Sequence, residues 1–505
     1  MKRARLSGIS RCVPSRFTRM RDVSNGRYPF DESRPALVPI TNPIPILFQI
    51  QSVAAIFQPA ATVGKPDRHS VKHARPTTGP DQSSSDDTRI SLVQQRQLAA
   101  IARAHPLRTG GATALPRSVR SLYLHVPFCA HKCHYCDFYS LVDTQDRQEA
   151  FVERLIRELH GLAPFAAGGP LRTLFVGGGT PSLLRVELWE KLLGTLAGQF
   201  DLSEIRGGRG EFTVECNPES VSQELLKMLR TGGVDRISMG AQSFHKAHLK
   251  TLERLHNPEN VAPAIAMARD AGIERLSVDL IFGVPGQTLD DWRRDLDAAL
   301  ALGTEHLSCY NLTYEQGTAM TARLKRGEFV PADEDVEVDM YELTVDHLAS
   351  AGLRRYEISN YSKPGREAQH NLAYWRQEEW LAAGPSASGH VGGWRWKNLP
   401  RLDDYLRASA DGLPEVADSE APDAARALRE RMWTGLRLWE GLDKAAVLDE
   451  VRALDPGAVQ RLDAAARKAS HDGMLEDSNG RWTLTKHGML VADSIVVDFM
   501  AALDE

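Results

Sequence analysis

Six short runs of apolar and β-branched residues punctuate the chain from Leu122 onward. They are SLYLHV (121–126), TLFVGGG (173–179), EFTVECN (211–217), RISMGAQ (236–242), RLSVDLIFG (275–283) and HLSCYNLT (306–313). Each has the length of a strand buried on both faces, and amphipathic stretches lie between most of them. Phe151, Leu155, Ile156 and Leu159 fall on one helical face, and QELLKMLRTGG closes on glycines as a helix end does. Strand and helix in alternation predict an α/β fold, a parallel sheet joined by right-handed crossovers. In such sheets chemistry gathers at the carboxyl ends of the strands. Every unusual motif of this chain falls just past a strand.

The pattern changes on either side of this region. PADEDVEVDMYELTVDHLASAG (331–352) reads as an acidic, solvated helix with no catalytic meaning. Tyr356 to Asn398 is dense in Gly, Trp and Tyr. From about residue 420, Leu428, Met432 and Leu436 mark a helix, and Asn479-Gly480 in GMLEDSNGRWTLT marks a hairpin. Helices followed by a hairpin predict a small winged-helix-like α+β domain. The first 118 residues differ from all of this: they are rich in Arg and Ser, free of acids until Asp22, then Pro-rich. That opening resembles an organellar transit peptide, but the expected reading is a disordered extension or a start codon placed too early. The expected units are a low-complexity extension (1–118), a barrel (119–350), a barrel extension (351–415) and a C-terminal domain (416–505).

Composition narrows the function. A chain of 505 residues exceeds a single compact core. A net charge of -5 argues against a partner bound through a basic surface, so nucleic acid is not expected. Three of the six cysteines are clustered, while Cys12, Cys216 and Cys309 lie far apart, which suggests a reducing compartment. The longest apolar stretch, VPITNPIPILFQIQSVAAIF, is broken by Pro, Asn and Gln, so no membrane span is expected.

Candidate chemistry centres on LHVPFCAHKCHYCDFYS, where Cys129, Cys133 and Cys136 follow a C-x3-C-x2-C spacing. Thiolates are soft ligands for iron–sulfur clusters or for zinc. On a four-iron cube three thiolates leave one iron without a protein ligand. With His131 or His134 as a fourth ligand they complete a zinc site, and the spacing alone leaves both open. Gly177, Gly178 and Gly179 let backbone N–H groups approach a bound group, or simply form a turn. Glu215, Gln242 and Asp279 are single polar residues in apolar runs, costly unless each finds a partner. One ligand across the barrel mouth would partner them all.

Taken together, YLHVPFC, GGGTPS, ECNP, SMGAQSF, DLIFGVPGQT and HNLAYW resemble the oxygen-independent coproporphyrinogen III oxidase family of the radical S-adenosylmethionine superfamily. Within that family the chain is most similar to the haem chaperone branch, from Leu122 to the C-terminus. The resemblance implies a partial (β/α)6 barrel holding a [4Fe-4S] cluster on Cys129, Cys133 and Cys136, with S-adenosyl-L-methionine on the fourth iron. It places Tyr123 and Tyr135 against the cluster and Gly178, Gly179 and Thr180 at the methionyl end. Glu215, Gln242, Arg254 and Asp279 fall at the remaining cofactor positions. Arg254 suits the cofactor carboxylate, and Glu215 and Gln242 suit ribose hydroxyls.

For an oxidase the implied chemistry is reductive cleavage to a 5′-deoxyadenosyl radical, then decarboxylation of a propionate. Two departures weigh against it. The oxidases resemble one another in a fourth cysteine two residues past the third, where this chain has Phe138, and the low-complexity start of this chain does not resemble the segment that leads into their barrel. For the chaperone branch, His370 in HNLAYW is the candidate haem ligand, with Asn371, Tyr374 and Trp375 shaping the site. The other reading of His370 is a buried, hydrogen-bonded histidine in an aromatic cluster. The implied partners are haem and haem-requiring acceptors, membrane-bound respiratory enzymes among them, and a homodimer is one expected assembly. The expected location is the cytoplasm, or the mitochondrion if the opening is a transit peptide. Whether the protein is an enzyme stays open. A third class, a radical enzyme acting on RNA, lacks the basic accessory domain it would need.

Overall fold

The computed structural model describes residues 104–108, 119–407 and 412–504. The expectations for residues 1–103, including Cys12 and the broken apolar stretch, lie outside the described residues.

All six predicted strands form: β1 Ser121–Val126, β2 Thr173–Gly178, β3 Glu211–Cys216, β4 Arg236–Gln242, β5 Arg275–Phe282 and β6 His306–Asn311. They lie side by side in chain order, each parallel to the next. Burial on both faces explains their near-continuous apolar text. The barrel stays open, and the segment after residue 350 extends both of its edges. β7 (Arg354–Arg355) and β8 (Asn360–Ser362) add antiparallel strands beside β6, and β9 (Leu381–Ala383) pairs parallel with β1.

Helices α1 (Gln148–Leu162), α2 (Val186–Gln199), α3 (Gln223–Thr231), α4 (Val261–Asp270) and α5 (Leu289–Ala301) connect the strands. α1 buries Phe151, Leu155 and Leu159 as predicted, and Val152 with them, while Ile156 stays at the rim of the buried stripe. A capping box of Thr288 and Asp291 starts α5. The acidic helix α6 (Glu334–Ser350) corrects an expectation, because it is not solvated all round. Met340, Tyr341, Thr344 and Leu348 are buried, and Trp292 Nε1 on α5 donates to Thr344 Oγ1 at 2.8 Å. The excess of acids on its outer side masked an apolar stripe at helical spacing.

α7 (Gln369–Trp375) lies against the amino ends of the strands and forms the floor of the barrel. Glu211, the first residue of β3, accepts the Gln369 and His370 N–H groups at 3.1 and 3.2 Å, satisfying the start of that helix. Arg236 pairs with Glu211 at 3.7 Å and donates to the Arg366 carbonyl at 3.2 Å.

The C-terminal unit runs α8 (Ala424–Gly435), β10 (Leu442–Asp443), α9 (Lys444–Leu454), α10 (Ala458–His471), β11 (Leu475–Ser478), β12 (Arg481–Leu484) and α11 (Ala492–Asp504). Its three strands pair antiparallel in the order β10-β12-β11. Asn479 and Gly480 both take positive φ, the conformation that a two-residue hairpin turn requires. This is a winged-helix element order. Residues 104–108, inside the expected extension, bury His105 and Leu107, with the His105 ring 4.8 Å from that of Trp396. Among the described residues no helix is long and apolar enough to cross a membrane.

Candidate cluster and cofactor site

The cysteine loop leaves β1 and is tied down by backbone. Cys129 N–H donates to Leu141 at 2.9 Å, Leu141 to Pro127 at 2.8 Å and His134 to Leu252 at 3.3 Å. Cys133 and Tyr135 pack with Leu252, Ile281, Val284, Leu312 and Met320 in a small apolar cluster of their own. Burial pushes the Cys136 thiol up to about 12 and raises Cys129 as well. A nucleophilic cysteine shows the reverse shift, so these thiols suit a metal that deprotonates them on binding.

Cys129, Cys133 and Cys136 line the mouth of one cavity, with His131 beside them.

The glycine run forms a cradle, not a simple turn. Gly178 has φ +105°, and its N–H donates to Glu215 Oε2 at 3.1 Å. A Cβ on Gly179 would meet the Phe128 carbonyl oxygen at 2.6 Å, and one on Gly177 would meet Glu215 Oε2 at 2.7 Å. Beyond the run, Thr180 Oγ1 donates to Cys129 Sγ at 3.6 Å. Beneath Gly178 sits His125, whose Nε2–H donates to the Tyr139 carbonyl at 2.8 Å, leaving Nδ1 to accept from Tyr123 OH at 3.1 Å.

The polar residues that interrupt the strands face the same cavity. Burial, then the neighbouring Asp279, pushes Glu215 up to about 8. Asp279 is also raised by burial, and Ser238 Oγ lies 3.1 Å from each of its oxygens. Gln242 takes φ +63° where the β4–β5 register shifts. The Arg254 guanidinium is fixed on all sides. Nη1 donates to Cys133 Sγ at 3.7 Å, Nη2 to the Gly240 carbonyl at 2.9 Å, and Nε to His256 Nδ1 at 3.2 Å.

His370 approaches from the floor. Its ring lies 5.2 Å from Phe175 and 4.7 Å from Tyr374, and burial pushes its pKa down to about 3. Nδ1 shares a hydrogen with Thr173 Oγ1 at 2.8 Å and Nε2 with Tyr374 OH at 2.9 Å. Both nitrogens are engaged, in the aromatic cluster that the sequence left as the other reading. One cavity of about 190 Å³ is lined by the predicted cluster and cofactor residues, from the three cysteines at the mouth to His370, Asn371 and Tyr374 below, while Gly177 and Trp375 are not among its lining. Lining residues that the sequence reading missed include Phe175, Arg236, Ser238 and Tyr310.

This mouth, with three thiols in the loop after β1 and the carboxylates of Glu215 and Asp279 on the parallel strands β3 and β5, defines a radical S-adenosylmethionine protein. The radical SAM superfamily model matches residues 123–299, and the HemN C-terminal domain matches residues 423–491. The chain is 36% identical over 397 residues to the haem chaperone HemW of Mycobacterium tuberculosis, covering 78% of this chain and 98% of that protein. It is 33% identical to HemW of Bacillus subtilis, over 76% of this chain and 100% of the relative. The chain therefore belongs to the HemW family. Among solved structures, coproporphyrinogen III oxidase (HemN) of Escherichia coli shares the fold, with a TM-score of 0.67, 22% identity, and coverage of 78% of this chain and 93% of that one.

Proposed function

We propose that the protein is a haem chaperone that binds haem and hands it to haem-requiring acceptors, with a [4Fe-4S] cluster and S-adenosyl-L-methionine at the barrel mouth. The observation that carries this reading is the likeness to proteins named haem chaperone HemW over 98–100% of their length. Phe138, where the oxidases carry a further cysteine, points the same way.

Cys129, Cys133 and Cys136 would hold three irons, leaving the fourth to the methionyl amino and carboxylate groups. The cofactor, when bound, supplies reductive carbon–sulfur cleavage. The chain's own part is to position it. Gly178, Gly179 and Thr180 clear a path for backbone contacts, Arg254 meets the carboxylate, and Glu215, Gln242 and Asp279 face the nucleoside, with Tyr123 and Tyr135 walling the cluster. His370 and Tyr374 are the candidate haem-binding pair. Their mutual hydrogen bond means that iron ligation requires the Tyr374 hydroxyl to leave Nε2, or α7 to shift.

The described cysteines carry free thiols, in keeping with a cytoplasmic place of action. Membrane-bound respiratory enzymes as acceptors, a homodimer, and the four units at 1–118, 119–350, 351–415 and 416–505 complete the proposal. Anaerobic reconstitution, iron counting and haem titration followed by absorbance test it. The expected result is a cluster lost in Cys129→Ser and haem binding weakened in His370→Ala. Conversion of coproporphyrinogen III to protoporphyrinogen by the reconstituted protein would overturn it in favour of the oxidase.

A further inference from the structure

Outside the barrel mouth, one set of side chains among the described residues brings metal-ligand chemistry together. We propose that His245, His248 and Asp291 form a second metal site, on the outer face of the barrel, for a divalent ion of the zinc class.

Two imidazoles and a carboxylate are a ligand set that zinc accepts, with water in the fourth position. In this structure their ligand atoms already lie within 4.8 Å of one another. His245 opens the short helix Lys246–Thr251 and His248 follows three residues on, with ring centroids 5.3 Å apart. Asp291 comes from the first turn of α5, with Oδ2 3.7 Å from His248 Nε2.

The two elements are fastened independently of any ion. Asp295, one turn further along α5 and fully buried, accepts from Phe244 N–H at 2.6 Å and from Ser243 Oγ at 2.8 Å. It therefore locks the residues just before His245 onto the helix that carries Asp291. Asp291 is itself oriented, because its Oδ2 accepts from Thr288 Oγ1 at 2.7 Å and Thr288 N–H at 3.1 Å. Hydrogen bonds of this kind to a ligating carboxylate fix its direction and are worth about 10–100-fold in metal affinity.

Arg294 is the visible competitor. Its Nη1 donates to Asp291 Oδ1 at 2.9 Å, and its side chain is 63% exposed. An incoming cation would displace it into solvent at little cost. The segment held by such an ion runs on to Arg254, whose N–H donates to the Leu249 carbonyl at 2.8 Å. Metal binding there would brace the arginine that faces Cys133.

The test uses the full chain with its cluster reconstituted, so that the three cysteines are occupied. Zinc is added, excess is removed by desalting, and zinc and iron are counted per chain in wild type, His248→Ala, His245→Ala and Arg294→Ala. The expected result is about one retained zinc in wild type at unchanged iron content. Its dissociation constant should rise about tenfold or more in either histidine variant and fall in Arg294→Ala. The thermal midpoint should rise with zinc in wild type and stay fixed in the histidine variants. Equal zinc retention by wild type and the partly exposed His245→Ala would overturn the site, as would absence of retained zinc in both wild type and Arg294→Ala.

Discussion

Replacing Gly178 by alanine perturbs the point where β2 hands over to the cavity mouth. Gly178 has φ +105°, a region that a residue with a Cβ occupies at a cost of about 1–3 kcal/mol. The added carbon would also strike the His125 ring, coming within 2.8 Å of Nε2 and closer still to Nδ1. That ring has no easy retreat, because Tyr139 and Tyr123 hold its two nitrogens at 2.8 and 3.1 Å. Overpacking of this kind costs about 1–3 kcal/mol, so together the two effects predict a loss of about 2–6 kcal/mol. Gly194 supplies the matched control. It lies inside α2, a Cβ there meets nothing within 4 Å, and its φ is outside the left-handed region. Alanine at 194 should therefore stabilise by about 0.4–1 kcal/mol. Urea unfolding of the cluster-free protein, followed by tryptophan fluorescence, compares both with wild type. Midpoints that move in opposite directions support the geometry. A Gly178→Ala midpoint equal to or above that of wild type would refute it.

Three further outcomes follow from the same interior. Burial and Asp279 raise Glu215 from its ordinary range to about 8, so its favourable contribution is full below about pH 4.5 and fades as the pH rises through 8. Glu215→Gln should then gain on wild type between pH 5 and pH 8, by on the order of 1.4 kcal/mol per unit of the removed shift, read from urea midpoints of the cluster-free protein; a pH-independent gap between the two would refute the assignment. Glu211→Ala strands the buried Arg236 and leaves two N–H groups of α7 without their acceptor, which should cost about 3–5 kcal/mol. Thermal unfolding checks this, and a shift no larger than that of an exposed acid such as Glu187 would count against it. Tyr374→Phe removes the hydroxyl that occupies His370 Nε2, at a stability cost of about 1 kcal/mol. If His370 ligates haem, the variant binds haem more tightly in an absorbance titration; weaker binding would assign the hydroxyl itself to the haem site.

The sheet was legible in the sequence because strands buried on both faces leave unbroken apolar text, and the six runs coincide with β1 to β6 almost residue for residue. The mouth was legible through residues that violate that text. Glu215 and Asp279 stand out among apolar neighbours, and the cysteines and glycines stand out by spacing. Smaller violations were not. Ser238 and Arg236 line the cavity two and four residues behind Gly240, and counting back in steps of two along β4 would have found them. Phe175 and Tyr310 face inward too, yet an aromatic residue in a strand gives no sign of which side it takes. The depth of His370 was out of reach for another reason. Its partners Thr173 and Glu211 are 197 and 159 residues away, and no local pattern records that HNLAYW closes the floor. β8 and β9, at three residues each, are too short to carry a period.

Those two short strands have a consequence for motion. β8 borders β6 on one rim of the open sheet and β9 borders β1 on the other, yet both belong to a single stretch between Asn360 and Ala383, with α7 midway. The chain thus acts as a girth strap, buckled to both rims and slung beneath the hollow. α7 cannot swing away like a door, since neither end is loose. To uncover the imidazole it must sag or roll in place, and any such sag pulls the rims toward each other. Access from below and the width of the opening above are then one mechanical variable, so spin labels placed on opposite rims would register a ligand that enters at the base.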